Sequence, residues 1–208
     1  MKTLALELSS GRGSVAWLAD QGDCDVRTFA NDRKHSGMFF RNLQDLSTKY
    51  GSPDVIVVGL GPGSYTGVRI AIAAAIGFRL TARARLLGLP SVCAMETDEC
   101  EFCVIGDARR ESFFLGCVRN GKLVNNFSLH TGDELLTKIV DADVPVYASE
   151  FLPAFPNVVL AYPSAARLAE LTRERMGEMI DSEILEPIYL REPHITMPRR
   201  VNNPGMQR

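Results

Sequence analysis

The 208-residue chain is short of several things, and each shortage excludes a class of protein. It has no charge excess: 23 basic residues against 25 acidic ones leave a net charge of −2, whereas a protein that grips nucleic acid unaided carries a strongly basic surface. It has no apolar run that could span a bilayer. The longest, Ile70 to Leu80, contains Gly77 and Arg79, falls short of the ~20 residues needed and reads as a buried helix. Histidine is scarce. His35, His130 and His194 lie far apart, and none has a partner four residues away, the spacing that sets two imidazoles on one helical face to hold a metal. His35 therefore reads as a lone surface histidine. The five cysteines (Cys24, Cys93, Cys100, Cys103 and Cys117) are an odd number in a chain that opens without a leader pattern. Reduced structural thiols and a cytoplasmic location are expected, and Cys100-x-x-Cys103 without a second pair is a weak redox or zinc signal. No Ser/His/Asp set can be proposed from spacing.

What is present describes a globular protein. Hydrophobic residues make up 46% and charged residues 23%, so the chain can bury a core, and its length suits one large or two small domains. Strands are expected at 3–8, 14–19 and 26–30, then a helix over 36–50 with Phe39, Leu43, Leu46 and Tyr50 at helical spacing. The run Val55-Ile56-Val57-Val58 suits a strand buried on both faces, hence a parallel sheet. A helix follows over 66–82 and a short strand over 86–89. The pattern then restarts: strands at 102–106, 112–119 and 122–129, with Asn120-Gly121 as a hairpin signal, a helix over 132–140, strands at 144–148 and 158–161, and a last helix over 164–180. The first strand of each half ends in an acid, Glu7 or Asp107, and an arginine follows, Arg12 or Arg109. This repeated order is the plan of a duplicated actin-like (ribonuclease H-like) α/β fold. Two lobes are expected, 1–100 and 101–190, each with a mixed five-stranded sheet flanked by helices. A mobile tail over 191–208 carries Arg199, Arg200 and Arg208 and reads as a solvated end or an RNA-brushing segment.

The most informative segment is the glycine-rich stretch 59–70. Gly61 and Gly63 permit positive φ and close backbone approach, Pro62 stiffens the turn, and Ser64 or Thr66 can cap the helix that follows. Free N–H groups at such a helix start favour an anion, and Arg69 lies one turn further on. Three standard templates fail: Val68 stands where a Walker A lysine belongs, Ser64 where a third dinucleotide-fold glycine belongs, and Tyr65 where a nucleophile-elbow serine belongs. Spacing alone leaves a structural strand–helix turn and an anion loop both open.

The wording of the loop goes further. Gly-Pro-Gly-Ser-Tyr-Thr-Gly-Val-Arg-Ile at 61–70 resembles the signature of the bacterial TsaB (YeaZ) family. Leu4-Ala-Leu-Glu-Leu-Ser-Ser10, Asp107-Ala-Arg-Arg-Glu111 and Pro187-Ile-Tyr-Leu-Arg191 resemble its opening strand, its second-domain motif and its C-terminal motif. The resemblance implies a non-catalytic relative of the catalytic subunit TsaD, the enzyme that transfers threonylcarbamoyl to the adenosine beside a tRNA anticodon. It implies binding to TsaD and assembly with the ATPase TsaE. It also implies a homodimer when alone, tRNA contact only through the complex, no membrane association, and no metal or cofactor of its own, with ATP or ADP at the complex interface. An anion or nucleotide site would use Glu7, Ser9, Gly61, Pro62, Gly63, Ser64, Tyr65, Thr66, Gly67, Arg69, Asp107 and Arg109. Glu7 departs from the family's usual aspartate, and its extra methylene would shift any carboxylate–metal–phosphate geometry. The implied partner interface is Met38, Phe39, Phe40 and Leu43 on the first helix with Ile70, Ala71, Ala74 and Gly77 on the second, unless both helices lie wholly in the chain's own core. An autonomous ATPase or sugar-kinase-like phosphotransferase is the main alternative, and a metallo-glycoprotease the weaker one.

Overall fold

Side-chain alternation along the strands assigns each residue to a layer. In β1 (Thr3–Glu7), Leu4 and Leu6 join one core cluster while Ala5 joins another on the opposite face. β2 (Arg12–Leu18) splits in the same way, with Val15 and Trp17 on one side and Ala16 and Leu18 on the other. The computed structural model describes residues 1–31, 36–178 and 184–191.

The first half continues with β3 (Cys24–Ala30), α1 (Ser36–Tyr50), β4 (Val55–Gly59), α2 (Tyr65–Ala82) and β5 (Arg85–Leu89). Its sheet runs β3-β2-β1-β4-β5, antiparallel through the meander and parallel from β1 to β5. β4 is buried at all five positions, as its unbroken apolar run requires. The second half holds β6 (Glu101–Asp107), β7 (Phe113–Arg119), β8 (Lys122–Leu123), β9 (Ser128–His130), α3 (Gly132–Val140), β10 (Val146–Ala148), β11 (Val159–Leu160) and α4 (Ala165–Arg175). Its sheet runs β11-β10-β6-β7-β8, with β9 also on β7. The two orders are the same plan twice, so the duplicated actin-like fold is present.

Three details depart from the sequence reading. The second sheet has six strands, not five, because the expected third strand breaks into β8 and β9. Phe127 causes the break: its ring turns in over Gly116, where a Cβ would meet it at 2.5 Å, and stacks edge-on against Phe114. Next, Cys103 and Cys117 are not reduced thiols. They face each other in the β6–β7 register with Cα atoms 4.0 Å apart and form a disulfide, leaving Cys24, Cys93 and Cys100 free. Burial pushes the Cys93 thiol up to about 11, which keeps it protonated and unreactive. Finally, α4 does not stay with the second half. It packs across β2, β1 and β4, and Ala165 N–H donates to Ser14 Oγ. Its Leu168 and Ala169 share a core with Val57 and Leu87 of the first sheet and Val104 and Val118 of the second, and its Leu171 lies on Gly121. Residues 179 and 180 of the expected last helix and the tail beyond Arg191 lie outside the described residues.

The layers are therefore α1 and α2, the first sheet, α4, the second sheet, and α3. Local chemistry fixes the ends. Ser64 caps α2 by accepting from Gly67 N–H, Thr131 and Glu134 form a capping box on α3, and Asn120-Gly121 turns with both φ positive.

Candidate functional site

A cleft of about 710 Å³ opens where the ends of β1, β4 and β6 meet. Its floor is the glycine-rich loop. Gly63 has φ +154, and a Cβ there would sit 2.1 Å from Ser9 O. A Cβ on Gly67 would sit 2.1 Å from Leu8 O. Both glycines are needed because the loop presses on the β1–β2 turn, and Ser64 N–H donates to Ser9 O at 2.6 Å. Gly61 has φ +88, precedes a cis peptide to Pro62, and donates its N–H to Ser91 Oγ at 3.0 Å.

Of the predicted residues, Ser9, Gly61, Pro62, Gly63, Ser64, Tyr65, Thr66, Gly67, Asp107 and Arg109 all line this cleft. Asp107 caps its own turn, accepting from Arg109 N–H at 2.6 Å and pairing with the Arg109 guanidinium at 3.1 Å. The turn is strained: Arg109, Arg110 and Glu111 all have φ between 55 and 67.

Two predicted residues do not reach the cleft. Glu7 is fully buried beneath the loop. Its Oε1 accepts from Ser9 N–H at 2.7 Å and its Oε2 has no partner. Burial pushes its carboxyl up, against the opposing pull of Ser9 and Ser91. Gly59 has no room for a side chain because that Oε2 would lie 1.8 Å from its Cβ. A carboxyl so enclosed does not line the cleft, contrary to the site expected for it. Arg69 also turns aside. It lies over the Tyr65 ring at 4.1 Å and donates from Nε to the Tyr189 hydroxyl at 2.9 Å.

The sequence reading missed four contributors. Asn31 Nδ2 donates to Leu8 O and Ser10 O and so shapes the first turn. Glu150 Oε1 accepts from Asp107 N–H. Ser149 and the segment Pro187–Arg191 form a wall. The Pro-x-Tyr-Leu-Arg motif was the available signal for that wall, but nothing in its local sequence says what it would lie against.

The expected interface helices divide. Phe39, Leu43 and Ala71 are buried in the first lobe's own core and cannot meet a partner. Ile70 and Ala74 are half-buried. Met38 (38% exposed), Phe40 (52%) and Gly77 face outward, and Gly77 has open space above it. Ile76 and Leu80 (80% exposed) extend this surface. Among the described residues no three His, Cys, Asp or Glu side chains converge as metal ligands, and no helix is long and apolar enough to cross a membrane. His130 pairs with Ser128 on β9, while His35 and His194 lie outside the described residues.

Duplicated sheets, a glycine loop leading into a long helix, and a cleft between the halves define a two-lobed α/β protein of the actin-like class. The family model described as TsaD, tRNA N6-adenosine threonylcarbamoyltransferase, matches residues 33–138. The tRNA threonylcarbamoyladenosine biosynthesis protein TsaB of Escherichia coli (strain K12) is 31% identical over 99 residues, 46% of this chain and 42% of that protein. The match thus spans less than half the length of that relative. YeaZ from Pseudomonas aeruginosa superposes with a TM-score of 0.73 at 25% identity, over 91% of this chain and 99% of that one. A second Pseudomonas aeruginosa structure, described as similar to peptidase YeaZ, gives 0.74 at 24% identity over the same shares. The chain belongs to the TsaB (YeaZ) family.

Proposed function

We propose that the chain is a non-catalytic subunit for the synthesis of threonylcarbamoyladenosine in tRNA, and that it binds and stabilises a TsaD-type transferase. The observation that carries this reading is the outward face of α1 and α2. Met38, Phe40, Ala73, Ile76, Gly77 and Leu80 are apolar or small residues exposed on the solvent side of this helix pair. The E. coli relative's name supports the pathway, and membership of the TsaB (YeaZ) family supports a TsaD-type partner. The reading adds a TsaE-type ATPase to the assembly and pairs the same face with a second copy when the chain is alone. It gives the chain no cofactor of its own and leaves ATP or ADP to the interface with the catalytic subunit. An autonomous phosphotransferase is disfavoured by Glu7, whose carboxyl lies under the loop rather than in the cleft.

Reconstitution tests the proposal. Threonylcarbamoylation of tRNA is measured with purified TsaD-type, TsaE-type and adenylate-forming components, with and without this chain. Activity that depends on the chain, with none from the chain alone, is expected. Equal activity in both tubes, or ATP turnover by the chain alone that Asp107→Asn abolishes, removes the proposal.

A further inference from the structure

The segment from Leu185 to Arg191 has no helix or strand, yet it touches both halves of the molecule. Leu185 is buried in the outer core of the first lobe, and Leu190 packs on the core between the sheets. Between these anchors, among the described residues, the backbone makes one hydrogen bond to the lobe beneath, Ile188 N–H to Leu60 O at 2.8 Å, at the last residue before the glycine loop. Arg191 donates to Ser112 Oγ at the strained turn across the cleft. Pro187 to Arg191 thus form one wall of the cleft.

The outer end of this strap is held by a clasp on α2. The Arg69 guanidinium lies over the Tyr65 ring, 4.1 Å from its centroid, with the Tyr189 centroid 5.9 Å away, and Nε donates to the Tyr189 hydroxyl. The two rings are 5.5 Å apart and each is about half exposed. Tyr65 and Arg69 do not stand apart from the docking face. Residues 65, 69, 73, 76 and 80 recur every three or four positions and make one continuous exposed stripe along α2. The clasp is the N-terminal end of the surface on which the partner would rest.

We propose that the strap is a latch on the cleft, and that a partner docked along α2 holds it shut. This rests on the docking reading above. Cation–π and charge-assisted contacts are weak when wet and strengthen when water is excluded. A partner covering Tyr65 and Arg69 dries the clasp, fixes Tyr189 and pins the Ile188 amide to Leu60. In the free chain the clasp is exposed, and one backbone hydrogen bond leaves the strap among the more easily opened parts of the structure. Occupancy of the outer face is thereby felt at the cleft wall without movement of either sheet.

Amide hydrogen exchange on the full chain tests the latch in two arms. In the free chain, Tyr189→Phe keeps the ring and removes the hydroxyl, and Arg69→Lys keeps the charge and removes the fork. Each should speed exchange at Ile188 several-fold while the β1 and β4 amides hold their wild-type rates. Unchanged exchange at Ile188, or a uniform rise across the sheets, overturns the latch. In the second arm the wild-type chain is saturated with the TsaD-type subunit, with binding measured separately. Exchange at Ile188 should slow about tenfold, and the slowing should be lost in Tyr189→Phe. Tight binding with no slowing at Ile188 overturns the coupling and leaves the docking reading intact. Failure to bind overturns the docking reading, and the coupling falls with it.

Discussion

The two halves repeat one plan, but they part after the strand that follows each half's first helix. After β4 the first half makes a tight glycine loop and the 18-residue α2. After β10, at the equivalent point, the second half makes only the loop 149–158 before β11. The first half thus keeps a long helix whose inner side, Val68, Ala71 and Ala75, covers its own sheet and whose outer side exposes Ile76 and Leu80. The second half covers its outer face with α3, whose Leu135 meets Ile105, Leu152 and Phe155. One copy presents an exposed helix face, and the other closes its sheet with a loop and α3.

The largest effect expected to break this comparison lies in the loop that only the first half possesses. Gly63→Val drives a branched side chain into Ser9 O and should cost about 3 kcal/mol or more, read as a lower urea midpoint. Ser149→Val, at the start of the second half's loop, should change stability by less than about 1 kcal/mol.

A smaller effect concerns α4, which both halves share. Leu168→Ala should cost about 3 kcal/mol and loosen amides in both sheets, whereas Leu135→Ala should cost a similar amount with the loosening confined to β6, β10 and α3. If both variants loosen the same amides, the halves are not distinguishable as units.

Next come the faces. Phe40→Ser with Leu80→Ser should leave the melting temperature nearly unchanged and weaken binding to the TsaD-type subunit about thirty-fold, by titration. Val140→Ser with Phe151→Ser, at least as exposed but on the second half, should leave that affinity unaltered.

The smallest effect compares the paired acids. The Glu7 carboxyl is raised in the fold by burial, so the folded state holds its proton longer than the unfolded chain does. Its favourable contribution is present at acid pH and is lost as pH rises from the ordinary carboxylate range through the raised value. Glu7→Gln removes that slope. The variant should gain on the wild type toward neutral pH and show no gain in acid, checked by melting temperature across pH. Asp107→Asn deletes only an exposed ion pair and should shift stability by less than about 1 kcal/mol at any pH.

Much of this was legible in the sequence, for physical reasons. Strand order, the β4 run and the glycine loop are local patterns, and period and turn chemistry report them directly. The direction a side chain takes within a pattern is not local. Phe39 and Phe40 are adjacent and equally apolar, yet one is sealed in and the other faces out, because α1 is rolled on the sheet by Leu43 and Leu46. Glu7 reads as a site acid until β4 and Ser91 close over it. Where the strap and α4 pack was hidden for a different reason: their partners, Leu60 and Ser14, lie more than a hundred residues earlier in the chain.

The position of α4 also bears on how the chain is made. A ribosome releases residues 1–100 long before it reaches Ala165, yet the inner side of the first sheet, with Ala5, Ala16 and Val57, is covered by that late helix. Until then an apolar sheet waits without its lining. The nascent polypeptide is therefore expected to complete its centre late and to draw on chaperones in the interval.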